Sequence, residues 1–155
     1  MIKIIDGDLL QAKEDIIAHQ VNCMGVMGSG VALQIKKQHP KAYEVYKELV
    51  NEAEKEKSVR FLLGKSLVVE SNGKHIANLF GQYTYGKIGQ YTLMNALENA
   101  LKNLKSFALQ HELTIALPYK IGSDRGGADW NEVLALIERV FEGHEDIITL
   151  YRYKG

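Results

Sequence analysis

The sequence predicts an α/β protein: a three-layer αβα sandwich around a central mixed, mostly parallel sheet. Three observations carry that prediction. Short apolar runs alternate along the chain with longer amphipathic ones, the rhythm of parallel strands joined by helices. One pair of runs flanks Ser71-Asn72-Gly73, a hairpin signal that adds an antiparallel strand. Two glycine-rich stretches each follow a strand-like run and precede a helix-like one. At 155 residues and 46% hydrophobic content the chain is the size of one domain, 1–155, with enough apolar side chains for a core.

In chain order, residues 2–5 form a short apolar run closed by Asp6-Gly7-Asp8, a first strand ending in a turn. Residues 15–21 are nearly all apolar, as in a strand covered on both faces, and only His19 and Gln20 interrupt them. Residues 31–39 carry Val31, Ala32 and Ile35 at helical spacing until Pro40, and residues 42–55 repeat the pattern with Tyr43, Val45, Tyr46, Leu49 and Val50. Residues 67–69 and 75–80 are the two hairpin strands. A loop over 81–89 leads to the longest helix, 92–110, where Leu93, Ala96, Leu97, Ala100, Leu101 and Leu104 recur at three and four. Residues 114–117 make a buried strand ending at Pro118, which empties into Ile121-Gly122-Ser123-Asp124-Arg125-Gly126-Gly127. Asp129 is placed to cap a helix over 130–141, and residues 147–153 close the chain as a strand.

Charge narrows the partners. Nineteen basic and nineteen acidic side chains balance, so nothing in the total favours tight non-specific nucleic-acid binding or an anionic membrane. An anion must be gripped locally. The lone Cys23 excludes an internal disulfide framework, and five scattered histidines leave no set of metal ligands, so no metal and no cofactor are expected. Without a signal-peptide pattern or a membrane-spanning apolar run, the expectation is a cytoplasmic monomer.

The stretch Met24-Gly25-Val26-Met27-Gly28-Ser29-Gly30-Val31-Ala32 has the composition of an anion site. Its glycines let the backbone approach a ligand, and the first amides of the following helix lack intrahelical acceptors. Such loops also occur as plain turns. A second glycine loop at another strand exit turns the balance toward a diphosphate, because ligands of these sheets bind beyond the carboxyl ends of the strands.

Taken together, Gly7-Asp8-Leu9, the segment from His19 to Gly25, Gly28-Ser29-Gly30-Val31-Ala32 and the stretch from Pro118 to Trp130 resemble the macrodomain, an ADP-ribose-binding αβα fold. The resemblance covers nearly the whole chain. Asn22-Cys23, Gln34, His39-Pro40-Lys41-Ala42 and Leu63-Gly64-Lys65 make it most similar to the yeast-type ADP-ribose-1″-phosphate phosphatases. Terminal ADP-ribose glycohydrolases are also similar in length and layout.

The resemblance implies roles. Asp8, with Leu9 beside it, would hold the adenine amino group, and Asn22 would donate to and accept from hydroxyls of the distal ribose. Gly28, Ser29, Gly30 and Val31 from one loop, and Gly122, Ser123, Gly126 and Gly127 from the other, would cradle the diphosphate through backbone amides. Arg125 would clamp phosphate, and Tyr151 or Tyr153 would stack on adenine. His19 would be the catalytic acid or base, activating water or protonating the leaving oxygen, with Asp124 as a second carboxylate. A buried structural histidine is the competing reading. Cys23 is a poor nucleophile because only His19 is placed to activate it.

Two departures bear on activity. The aspartate of the mono-ADP-ribosyl hydrolases falls at Ala32, and the lysine and aspartate of the terminal glycohydrolases fall at Gln82 and Gly126. Three functions therefore remain open: a metal-independent phosphatase acting on ADP-ribose-1″-phosphate, a non-catalytic reader of ADP-ribose, and a hydrolase freeing ADP-ribose from protein or nucleic acid.

Overall fold

In a computed structural model, which describes residues 1–56 and 58–153, a six-stranded sheet lies between two helical layers. The elements in order are β1 (Lys3–Asp6), β2 (Ile16–Val21), α1 (Gly30–Gln38), α2 (Pro40–Lys55), β3 (Ser66–Ser71), β4 (Lys74–Phe80), α3 (Met94–His111), β5 (Ile115–Pro118), α4 (Trp130–Val140) and β6 (Ile148–Arg152). The sheet order is β1-β6-β5-β2-β4-β3, with β3 antiparallel to β4 and the other neighbours parallel. The mixed, mostly parallel αβα sandwich is the one the sequence predicts.

Burial follows the strand period. Ile16 and Ala18 of β2 face α3 and α4, where Leu97, Leu101, Leu104, Val133 and Ile137 complete the largest cluster. Ile17 faces the other layer, against Ile35 of α1 and Ala42 of α2. With both faces covered, β2 must be almost wholly apolar, so His19 and Gln20 near its end are exceptions needing partners. At the hairpin, Asn72 and Gly73 both take positive φ, 51° and 79°, the conformation for which Asn-Gly is suited.

The chain leaves β2 toward β3 and β4 on one side and returns, through α3, to β5 on the other. The carboxyl ends of β2 and β5 are thus where the connections diverge, the crevice in which such sheets bind ligands. Boundary differences have local causes. Pro40 both ends α1 and supplies the first turn of α2, where its missing N–H is no loss, so α2 starts two residues earlier than expected. The longest helix starts at Met94 rather than 92 because Thr92 pairs with Gln82 in an isolated bridge. Asp129 caps α4 as expected, accepting from Asn131 N at 2.8 Å. Three short 3-10 turns, Leu9–Gln11, Val59–Leu62 and Glu145–Ile147, are additions to the expected elements.

Candidate functional site

A cavity of about 360 Å³ opens at the carboxyl ends of β2 and β5. Its wall gathers His19, Asn22, Gly28, Ser29, Gly30, Val31, Gly122, Asp124, Arg125 and Gly126, joined by Gln20, Gln82, Tyr85, Lys87 and Lys120. Most of the residues picked from sequence converge here. Asp8, Leu9, Ser123, Gly127, Tyr151 and Tyr153 do not line this cavity. Asp8, Leu9, Tyr151 and Tyr153 lie together at the same end of the sheet, at β1 and β6, and β6 is the immediate neighbour of β5. There Asp8 caps the turn Leu9–Gln11 by accepting from Leu10 N at 2.9 Å, and Leu9 is buried beneath it. Tyr151 is buried, its hydroxyl donating to Glu14 Oε1 at 2.6 Å; burial and that carboxylate push its pKa up to about 12. Tyr153 is 72% exposed, so of the two tyrosines it has the ring open to solvent.

His19 is fully enclosed on the α1 and α2 side of β2. Its Nε2 lies 2.6 Å from Oδ1 of Asn78, its neighbour in register on β4. Asn78 turns its own Nδ2 toward Ala42 O at 3.3 Å, so its oxygen must face the imidazole. His19 therefore carries its proton on Nε2 and leaves Nδ1 as a lone-pair acceptor, buried and without a partner among the described residues. Desolvation, partly opposed by the Asn78 bond, lowers its pKa to about 4, so the ring is neutral at pH 7. This removes one of the two expected roles: a proton donor at neutral pH. An acceptor toward water or a hydroxyl is what remains.

The first loop is braced by its own side chains. Asn22 Oδ1 accepts from Met24 N at 2.9 Å while Nδ2 donates to Val26 O at 2.9 Å, and the Tyr46 hydroxyl, 2.7 Å from Asn22 O and 2.9 Å from Oδ1, has one hydrogen for the two. Gly25 N reaches the Tyr46 hydroxyl at 3.1 Å. The expectation that Asn22 both donates to and accepts from a ribose is corrected accordingly. Its carbonyl is occupied by the loop, and only its second amide hydrogen is left for a ligand. Beyond it, Ser29 precedes α1 without a side-chain cap bond, and Gly30 takes φ +59°. The first amides of α1 point out of the helix at the cavity. Cys23 is buried, and burial raises its thiol pKa to about 11, which leaves it inert as a nucleophile.

The second loop is held from outside. Gly122 O accepts from Ala128 N at 3.0 Å and from Thr92 Oγ1 at 2.7 Å, and Gly126 O accepts from Tyr91 N and Thr92 N. Ser123 N already donates to Lys120 O at 2.9 Å, so its amide is not offered to a diphosphate as expected. Gly127, at φ +73°, packs its bare α-carbon against Gly89 O instead of facing the cavity. Asp124 and Arg125 are exposed at the mouth with Lys87 and Lys120, giving it a positive balance suited to phosphate. Sequence reasoning missed Gln20, Gln82, Thr92, Tyr46 and Asn78. A signal was available for Gln20 and Asn78, each a polar residue inside a strand buried on both faces.

The Macro domain family model matches residues 18–137. The chain is 28% identical over 152 residues to the DNA ADP-ribosyl glycohydrolase of Mycobacterium tuberculosis, covering 95% of this chain and 40% of that protein. It thus spans about two fifths of the length of that relative. It is 30% identical over 166 residues to the ADP-ribose 1″-phosphate phosphatase of Scheffersomyces stipitis, covering 90% of this chain and 94% of the relative. Among solved structures, the macrodomain of Mycobacterium tuberculosis DarG superposes with a TM-score of 0.82 at 27% identity, covering 98% and 97% of the two chains.

Proposed function

The chain belongs to the Macro domain family, and from that premise we propose that it binds ADP-ribose and hydrolyses ADP-ribose-1″-phosphate to ADP-ribose and phosphate. The adenosine end would lie over Asp8 and Tyr153, and the diphosphate and terminal ribose would run into the cavity at β5 and β2. The exits of β1 and β2 are three strands apart, roughly 14 Å, a span that suits an extended dinucleotide-like ligand.

The observation that carries the phosphatase reading is the buried Nδ1 of His19, an acceptor without a partner among the described residues, on a side chain that lines the cavity. It would accept a hydrogen bond from water and orient it toward phosphorus. The α1 amides and Arg125 would hold the phosphoryl oxygens. As water adds, one of its protons passes to a phosphoryl oxygen, the bond from phosphorus to the sugar oxygen breaks, and its electron pair leaves with the sugar, which takes a proton from solvent at the open mouth. Gln82 and Gly126 support this over the lysine-dependent glycohydrolase route, since neither offers an amine or a carboxylate.

A second reading, release of ADP-ribose from a macromolecule, is favoured by the mouth itself: Tyr85 is 53% exposed beside Lys87 and Arg125, leaving room for a bulky aglycone. Titration calorimetry with ADP-ribose and a phosphate-release assay on the same preparation separate the readings. Binding with phosphate release is the expected result. Binding without release overturns the phosphatase, leaving the reader or the macromolecular hydrolase. No binding at all overturns every one of them.

A further inference from the structure

Gln20 is the second polar exception in β2. Its side chain lies on the opposite face from His19, and two partners determine how its amide is turned. Thr92 Oγ1 gives its hydrogen to Gly122 O at 2.7 Å, so toward Gln20 Nε2, 2.8 Å away, it can only accept. Gln82 gives its Nε2 to Thr84 O at 2.7 Å, so its Oε1, 2.7 Å from the same nitrogen, also accepts. Both amide hydrogens of Gln20 are thereby used, and the assignment of nitrogen and oxygen follows from the network. Its Oε1 is left buried and without a partner among the described residues, on a residue that lines the cavity.

Two bare positions make room for this arrangement. A Cβ at Gly81 would overlap Gln20 Oε1, and one at Gly126 would overlap Thr92 Oγ1 and Gly122 O. The network ties β2, the bridge between Gln82 and Thr92, and the second glycine loop into one wall. A buried carbonyl oxygen without a donor is costly, and a ligand hydroxyl removes that cost.

We infer that Gln20 is a specificity-determining residue of this site: its nitrogen aligns the second loop, and its Oε1 accepts a hydrogen bond from a hydroxyl of the ligand's terminal sugar. The inference rests on the ADP-ribose reading above. An O–H donor fits because a phosphate oxygen at the same place would meet a lone pair.

The test is calorimetry with ADP, ADP-ribose and ADP-ribose analogues lacking one terminal-ribose hydroxyl, on wild type and Gln20→Met. Wild type is expected to bind one deoxy analogue about tenfold more weakly than ADP-ribose. Gln20→Met is expected to weaken ADP-ribose binding about tenfold more than it weakens ADP binding, the loss with ADP reporting the second loop alone, and to lose that discrimination. Equal weakening of ADP and ADP-ribose, or a wild type indifferent to every hydroxyl, overturns the inference while leaving the ADP-ribose reading standing. A wild type that binds none of them overturns both. If melting shows that Gln20→Met does not fold, the wild-type hydroxyl series decides alone.

Discussion

The two glycine loops serve one cavity but are built differently. The first, after β2, is rigid through neighbours in sequence: Asn22 closes onto Met24 and Val26, and one buried hydroxyl from α2, that of Tyr46, binds both Asn22 and Gly25. The second, after β5, closes through backbone bonds from Ser123 N to Lys120 O and from Ala128 N to Gly122 O, and is tied from outside by Thr92, which Gln20 in turn holds. A loop that braces itself can be read locally. A loop braced from elsewhere makes its geometry depend on the whole fold, and its Gly122 and Gly126 serve both the brace and the cavity wall.

That contrast can be broken from either side. Among changes to the loops and their braces, the largest effect is expected from Gly126→Ala, whose methyl would displace Thr92 and the Gly122 carbonyl. A shift of about 1 Å in the loop should cost on the order of a hundredfold in kcat/KM, measured as phosphate release, with the protein still folded by circular dichroism. Tyr46→Phe attacks the other brace. It leaves Gly25 N without its acceptor and should lower stability by about 1–3 kcal/mol in urea unfolding. Its effect on the second loop should be absent. The smallest expected change is in His19 itself. Because burial lowers its pKa, the neutral ring persists below the usual value of 6.5 and gains a proton only as pH falls toward about 4. An NMR titration of the imidazole should show the Nε2–H form unchanged from pH 8 to pH 5.5, where an ordinary histidine would be mostly charged.

The strand and helix rhythm, the hairpin and both glycine loops were legible because each is written within a dozen residues. His19 was legible as a polar exception in a buried strand, but its tautomer depends on Asn78, 59 residues away. Gln20 meets Thr92 over a separation of 72, which no local pattern reveals. Asn22 was identified for its amide, yet the fold uses its oxygen to hold the loop. The expected adenine residues Asp8, Leu9, Tyr151 and Tyr153 sit at β1 and β6 and the glycine loops follow β2 and β5, a placement along the sheet that depends on strand order.

The central claim is that a neutral, buried His19 acts as acceptor for the water that attacks ADP-ribose-1″-phosphate. Its most direct test is phosphate release from that compound by wild type and His19→Ala at pH 7, with ADP-ribose binding measured on both. Retained binding with a rate reduced by about two to four orders of magnitude is the predicted result. Equal rates in the two proteins, or no release by wild type, would contradict it.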